Sequence, residues 1–168
     1  MLVVMVSLRK AQHADLAFLM TLEEANYQLG FTGRDLLEDH HAALADDDFG
    51  YWIIEAAGRP AGFAILAGLA SQNRSILIKR IAVSTPGHGH GRLAMRQLMR
   101  LAFVDYNAHR LWLDVYPENE RARAVYRALG FQEEGVMRDC IFTAGAFRSL
   151  ILMSILEHEP AARELRHA

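Results

Sequence analysis

The segment Pro86-Gly87-His88-Gly89-His90-Gly91-Arg92 constrains this chain more than any other. It stands between a strand-like run that ends at Val83 and an amphipathic run that begins near Arg92. Alternating glycines let a backbone turn sharply and come close to a ligand. Successive free N–H groups then face one concavity, and the dipole of the following helix adds partial positive charge. Such a strand–loop–helix unit holds a phosphate or pyrophosphate, and Arg92 in the first helical turn can add a charge-assisted hydrogen bond. No Gly-Lys-Ser/Thr follows, which excludes a Walker loop. The spacing is G-x-G-x-G, and no strand-end acid stands about 20 residues on, which argues against a dinucleotide fingerprint. His88 and His90 have no cysteine or nearby acid to complete a metal set. They are expected as solvated side chains near the phosphates, with no metal.

The elements around the loop read as a mixed fold. Leu2 to Leu8 is strand-like. Asp15 opens a helix with Leu16, Leu19, Met20 and Glu23 at helical spacing, and a second helix is expected over Arg34 to Leu44. Tyr51 to Ala56, Ala61 to Leu69 and Ser75 to Val83 read as strands, the first two joined by a turn at Gly58-Arg59 and therefore antiparallel. The helix after the glycine loop carries a buried stripe of Ala94, Leu98, Leu101 and Ala102, with Arg92, Arg96 and Arg100 on another face. It should cross over to a strand from Arg110 to Tyr116. Asn119 can cap a helix bearing Ala122, Val125, Tyr126 and Leu129, which Gly130 would end. Strands over Phe131 to Cys140 and Phe147 to Leu156 close the core. The polar tail 157–168 is expected to fray. The order predicts one α+β domain over residues 1–168, with a mixed, mostly antiparallel sheet flanked by helices.

Composition narrows the function. A chain of 168 residues with a formal net charge of −2 suits a single domain and lacks the overall basic surface of a nucleic-acid binder. The longest apolar stretch, Ala61 to Ala70, is far below the roughly 20 residues that cross a bilayer. Met1 to Val6 is too short for a signal peptide and has no basic region before it. The single cysteine, Cys140, cannot form an internal disulfide and is expected as a small apolar residue in a strand. These features point to a soluble, cytoplasmic protein.

Three segments, in order, resemble the GNAT acetyltransferase superfamily: Ile78-Lys-Arg-Ile-Ala-Val83, the glycine loop with its helix, and the pattern Asn119, Ala122, Tyr126, Gly130, Phe131. The opening Ser7 to Leu16 also fits the start of such domains. Lys79-Arg-Ile-Ala-Val83, Ala108-His-Arg-Leu-Trp-Leu-Asp-Val115 and the Glu134 to Cys140 stretch are most similar to the branch of ribosomal-protein N-terminal and spermidine acetyltransferases. One departure stands out: the family loop usually begins with Arg or Gln, and here that position is Pro86, which has no N–H to donate.

The resemblance implies an acetyl-CoA-dependent N-acetyltransferase in which a primary amine attacks the thioester directly in a ternary complex. Ile81, Ala82 and Val83 would bind the pantetheine arm. Gly87, His88, Gly89, His90, Gly91 and Arg92 would hold the pyrophosphate, with Asn119 and Arg123 as further cofactor contacts. Tyr126 would protonate the leaving sulfur, although by pattern alone it belongs to an apolar helix stripe. The base position of histone-type members falls on Leu77, which cannot serve. That of the ribosomal-protein branch falls on Asp114, which shares a strand face with Trp112 and Tyr116. The implied partners are a small-molecule or peptide amine, with neither nucleic acid nor membrane, and a homodimer is compatible. The acidic set Glu23, Glu24, Asp35, Glu38, Asp39 and Asp46 to Asp48 can be read as a cation site or as solvated helix faces. The alternative function is a non-catalytic CoA-binding module.

Overall fold

The structure, a computed structural model, describes residues 5–167. The expected first strand begins at Leu2, and its residues 2–4 lie outside this range. What is described of it is β1 (Val6–Lys10), which reaches two residues beyond Leu8. A single 3-10 turn leads into α1 (Leu16–Gln28), and a loop connects to α2 (Leu37–Leu44). The meander β2 (Phe49–Ala56), β3 (Arg59–Ala67) and β4 (Ser75–Val83) follows, the last with the bounds that sequence predicts. Next come α3 (His90–Arg100), extended by a π-helical turn over Leu101–Asp105, then β5 (Arg110–Val115) and α4 (Glu120–Ala128). The hairpin β6 (Gln132–Thr143) and β7 (Ala146–Leu156) and the helix α5 (Pro160–His167) complete the chain.

The seven strands form one sheet in the order β1-β2-β3-β4-β5-β7-β6. Every neighbouring pair is antiparallel except β4 and β5. Helix α3 makes the crossover between those two, as a parallel connection requires. Alternation along β2 divides the core. Tyr51 and Ile53 pack with Leu19 of α1 on one face, while Trp52 packs with the buried stripe of α3 on the other. The sheet is thus covered on both sides, by α1 and α2 on one and by α3, α4 and α5 on the other.

Two irregularities in the sheet position the functional residues. The first lies in β4. Ile65 pairs with Arg80 and Leu66 with Ile78, so Lys79 is an extra residue. A one-residue bulge reverses which face each later side chain takes. Ile76 and Ile78 lie in the core on the α3 side; beyond the bulge Ala82 lies in the cluster on the α1 side. The second lies between β4 and β5. Their pairing covers only Ser75↔Arg110, Ile76↔Leu111 and Leu77↔Trp112. Past Leu77 the two strands part. The outer strand β6 carries further shifts, one at Glu134 and one between Met137 and Ile141.

The tail does not fray as expected. Ala162 and Leu165 of α5 are buried in the main core, and Arg100 Nη1 donates to the Leu165 carbonyl at 3.2 Å. Pro160 at the first helical position and apolar residues three apart are the local reasons. Gly130, at φ +99° after α4, leaves room for Ala161, which a Cβ there would meet at 2.8 Å. Cys140 lies in β6 as expected, but exposed.

The α1 side is fixed by buried polar groups. Glu23 is 2% exposed and His40 fully buried. His40 Nδ1 is 3.0 Å from the Tyr51 hydroxyl and its Nε2 3.0 Å from Glu23 Oε2. Arg80, turned to this face by the bulge, donates to Glu23 Oε1 and to Asp35 Oδ2, both at 2.6 Å. Lys79 adds a bond to Asp35 at 2.7 Å. Arg80→Met would leave Glu23 buried without its guanidinium. Such a break costs about 3–5 kcal/mol, and urea denaturation should show it as a lower midpoint with an unchanged slope. A shift below about 1 kcal/mol would mean that water, and not Arg80, solvates Glu23.

Candidate active site

The parting of β4 from β5 creates the site. From Ile78 onward the β5-facing edge of β4 has no strand partner among the described residues, so its alternate N–H and C=O groups face a gap. Backbone groups of this kind need partners, and an extended ligand with amide groups can supply them. The gap opens into a cavity of about 590 Å³, within the range of small-molecule sites. Ile81, Ala82 and Val83 form one wall.

The glycine loop closes one end. Gly87 and Gly89 have φ of +94° and +80°, a left-handed region that side chains rarely adopt, and a Cβ on either would project into open space. Gly89 is the N-cap of α3, so the free N–H groups of the first helical turn lie at the loop. Pro86, Gly87, Gly89, Gly91 and Arg92 all line the cavity. His88 and His90 stand beside it and are not among its lining residues. Their rings lie 6.1 Å apart, and His90 Nδ1 is buried with no hydrogen-bond partner among the described residues.

Helix α4 forms the opposite wall. The Asn119 side chain accepts a bond from the Ala122 N–H at 3.2 Å, the cap expected from sequence, and Asn119, Ala122, Val125 and Tyr126 reach the cavity. Arg123 takes no part in the lining. Its guanidinium donates to Glu133 Oε1 at 3.0 and 3.2 Å and to the Pro117 carbonyl at 2.9 Å, tying α4 to the next strand. The arginine of α4 that lines the cavity is Arg121, two residues earlier, which sequence reasoning does not single out. Both lie in the first turns of α4, and spacing alone does not tell them apart. Asn26, Leu29 and Phe31, from the end of α1 and the loop after it, also reach the cavity. They carry no motif, and no local signal would find them.

Tyr126 is half-buried, its ring 6.0 Å from that of Phe131. Its hydroxyl makes no hydrogen bond to another described residue. Burial pushes its pKa up to about 12, and the Asp114 charge pushes in the same direction. Asp114 has open surface on β5 between Trp112 and Tyr116, on the face opposite the buried Leu113 and Val115. Neighbouring atoms crowd its carboxyl and raise its pKa above the ordinary 3.8, with Arg80 opposing. Asp114 does not line the cavity, though its charge is felt at Tyr126. The two proposed catalytic groups therefore stand within electrostatic reach of each other. Leu77 lies on β4 at the last pair with β5 and offers no titratable group.

The acidic set is largely engaged inside the protein. Glu23 and Asp35 hold Arg80, Asp35 also holds Lys79, and Glu24 holds Arg34. Asp39 accepts the Leu36 N–H at the start of α2, and Asp48 accepts that of Ala70. Glu23, Asp35 and His40 bring three metal-type ligand atoms within 4.8 Å of one another, but the carboxylates already bear guanidinium and ammonium groups. No helix among the described residues is long and apolar enough to cross a membrane.

Comparison with known proteins agrees with this geometry. The profile of the Acetyltransferase (GNAT) family matches residues 16–131. The spermidine N(1)-acetyltransferase of Escherichia coli is 28% identical over 165 residues, covering 92% of this chain and 87% of that protein. YdaF of Bacillus subtilis, whose name proposes a ribosomal N-acetyltransferase, is 33% identical over 103 residues, covering 61% of this chain and 56% of that one. Among solved structures, a chimera of the Vibrio cholerae spermidine N-acetyltransferase SpeG and hSSAT superposes with a TM-score of 0.80 at 25% identity, covering 90% of this chain and 95% of that chain. The Vibrio cholerae spermidine N-acetyltransferase in complex with CoA and spermine matches with the same TM-score at 23% identity, with 90% and 95% covered. An open strand edge, a glycine cradle at a helix start and a tyrosine between them thus have a common explanation: the chain belongs to the acetyltransferase (GNAT) family and is an N-acetyltransferase that uses acetyl-CoA.

Proposed function

We propose that the enzyme binds acetyl-CoA along the open edge of β4 and transfers the acetyl group to a primary amine, with Tyr126 and Asp114 serving the chemistry. One observation carries this reading: the unpaired edge Ile81–Val83, the glycine cradle and Tyr126 all line the same cavity. The pantetheine amides would complete the ladder that β5 leaves unfinished. The pyrophosphate would sit on the N–H groups at the start of α3, with Arg92 and Arg121 as countercharges. Pro86 removes one donor from the cradle and leaves the glycines in place.

In the transfer, the neutral amine nitrogen attacks the thioester carbonyl. An N–C bond forms, the C–S bond breaks, and a proton leaves the nitrogen. A main-chain N–H on the free edge of β4 would stabilise the oxyanion. Asp114, or a water it holds, takes the proton from the amine. Tyr126 faces the departing sulfur. A phenol is a reasonable donor to a developing thiolate. It would hydrogen-bond the departing sulfur and give it the proton, which solvent then restores to the phenol.

The acceptor is a primary amine, the class to which the spermidine of the relatives belongs. A location in the cytoplasm agrees with the single free thiol. An assembly of several copies is in keeping with the dodecameric Vibrio cholerae spermidine N-acetyltransferase.

Three experiments test the reading. Acetyl-CoA should raise the melting temperature by mass action. Gly89→Val, which forces a side chain into a left-handed backbone and into the cradle, should abolish that rise; a shift of wild-type size would place the phosphates elsewhere. Tyr126→Phe keeps the ring and loses the hydroxyl, so turnover should fall about 10²–10³-fold with acetyl-CoA affinity retained. Unchanged turnover would reduce Tyr126 to a packing residue. Asp114→Asn should depress the rate most near neutral pH and recover partly at high pH, where the free amine is abundant. In the wild type the rate should fall as pH drops through the raised Asp114 pKa, because the protonated carboxyl cannot accept a proton. An equal loss at every pH would indicate a structural role.

A further inference from the structure

Four charged residues line the cavity: Arg92, Glu118, Glu120 and Arg121. Strands β4 and β5 run parallel, so α3 and α4, which follow them, begin at the same end of the sheet. Each helix brings one arginine to the cavity from its first turn, Arg92 from α3 and Arg121 from α4. A cation there opposes the helix dipole and lowers helix stability. Nothing inside the protein offsets that effect. Both arginines are exposed, and neither forms an ion pair among the described residues. Other arginines of the same helices are engaged: Glu133 holds Arg123 and Arg127, and Arg100 donates to the Leu165 carbonyl. Two free guanidinium groups on a cavity wall, placed where stability does not favour them, point to an anionic ligand.

The two arginines have different surroundings. Beside Arg92 lie the glycine cradle and the free N–H groups at the start of α3, which suit a diphosphate. The start of α4 offers less backbone. The Asn119 side chain already accepts the Ala122 N–H at 3.2 Å, so what this helix presents to an anion is the Arg121 side chain itself. The two acids do not cancel it. Glu118 is bound by Arg148 at 3.2 Å. Glu120 immediately precedes Arg121, and adjacent helical residues do not face each other. Coenzyme A carries a diphosphate and, on its ribose, a separate 3′-phosphate. The cradle accounts for the first of these only.

We propose that Arg121 binds the 3′-phosphate of acetyl-CoA, so that the enzyme selects CoA thioesters over their 3′-dephospho forms, while Arg92 serves the diphosphate. This assignment rests on the acetyl-CoA reading above and deepens it: each arginine countercharge takes one phosphate group. Arg121 is a specificity residue for the cofactor. Its planar fork can give a phosphate monoester two parallel hydrogen bonds.

The test is calorimetric binding of acetyl-CoA and of acetyl-3′-dephospho-CoA to the enzyme. The wild type should bind acetyl-CoA at least about tenfold more tightly, the range of a charge-assisted hydrogen bond. Arg121→Gln should remove that difference, weakening acetyl-CoA about tenfold while the dephospho form keeps its affinity. Arg121→Lys keeps the charge without the fork and should fall between the two. Arg92→Gln should weaken both thioesters by the same factor. Arg96 is exposed on α3 and outside the cavity lining. Arg96→Gln should therefore change neither affinity by more than about twofold, which separates a contact from a loss of overall positive charge. Equal binding of the two thioesters by the wild type would overturn the proposal with no substitution involved. So would an equal loss of both in Arg121→Gln, which would put Arg121 on the diphosphate, or a preference that Arg92→Gln removes and Arg121→Gln does not. Binding of neither thioester would instead overturn the cofactor reading, and this assignment with it.

Discussion

Strand β4 cannot keep both neighbours along its whole length. Its first three residues pair with β5, and the remainder is held only by β3. Main-chain groups on that free edge must find partners or face water, so a wedge opens in the middle of an otherwise continuous sheet. Everything at the site is arranged around it. The glycine loop leaves the open end of β4, α3 starts where the loop can present its N–H groups, and α4 begins just past β5 and brings Asn119 and Tyr126 to the other side. A fully zipped β4–β5 pair would leave the same residues with no space between them.

The bulge at Lys79 has a separate effect. It changes the phase of β4, so that Arg80 turns toward Glu23 and Asp35. The Asp35 pKa is held at about 2 despite its burial, because hydrogen bonds from Arg80 and Lys79 overcome the desolvation that would raise it. One extra residue thus fastens β4 to α1 and to the loop that leads into α2. Arg80 also tempers the rise of the Asp114 pKa from across the cleft. The open edge of β4, the α1 side of the sheet and Asp114 are therefore joined mechanically and electrostatically through Arg80.

Much of this is legible in the sequence, for identifiable reasons. Strand β4 is legible to the residue, because Ser75 to Val83 lies between a polar turn and a proline-glycine loop. The Asn119 cap and the Gly130 stop are marked by the residue types that those positions demand. Asp114 falls on the same face as Trp112, because period-two alternation holds along β5, which ends at Val115, one residue short of Tyr116. The bulge leaves a trace as well. Ile76 and Ile78 are two apart, but the next apolar pair, Ile81 and Val83, comes after a spacing of three. The long-range features are not legible in this way. Glu23 on an apolar helix face gains its meaning only from Arg80, 57 positions away, and Arg148 reaches Gly30 across 118. Arg121 and Arg123 are indistinguishable until Glu133 claims the latter. The tail misleads because its polar composition hides a two-residue apolar stripe.

The irregular course of β6 has a consequence outside the reaction. At twelve residues it is the longest strand and lies at the margin of the sheet, with one side unpaired among the described residues. A flat margin of that length invites another chain to add strand upon strand, the route by which native proteins drift into fibrils. The insertions at Glu134 and between Met137 and Ile141 break the line of donors and acceptors. Glu133, Glu134, Arg138 and Asp139 place charge along it, and Asp139 takes a positive φ of 48°. The same kinks that spoil its hydrogen-bond ladder with β7 protect the protein against uncontrolled self-association.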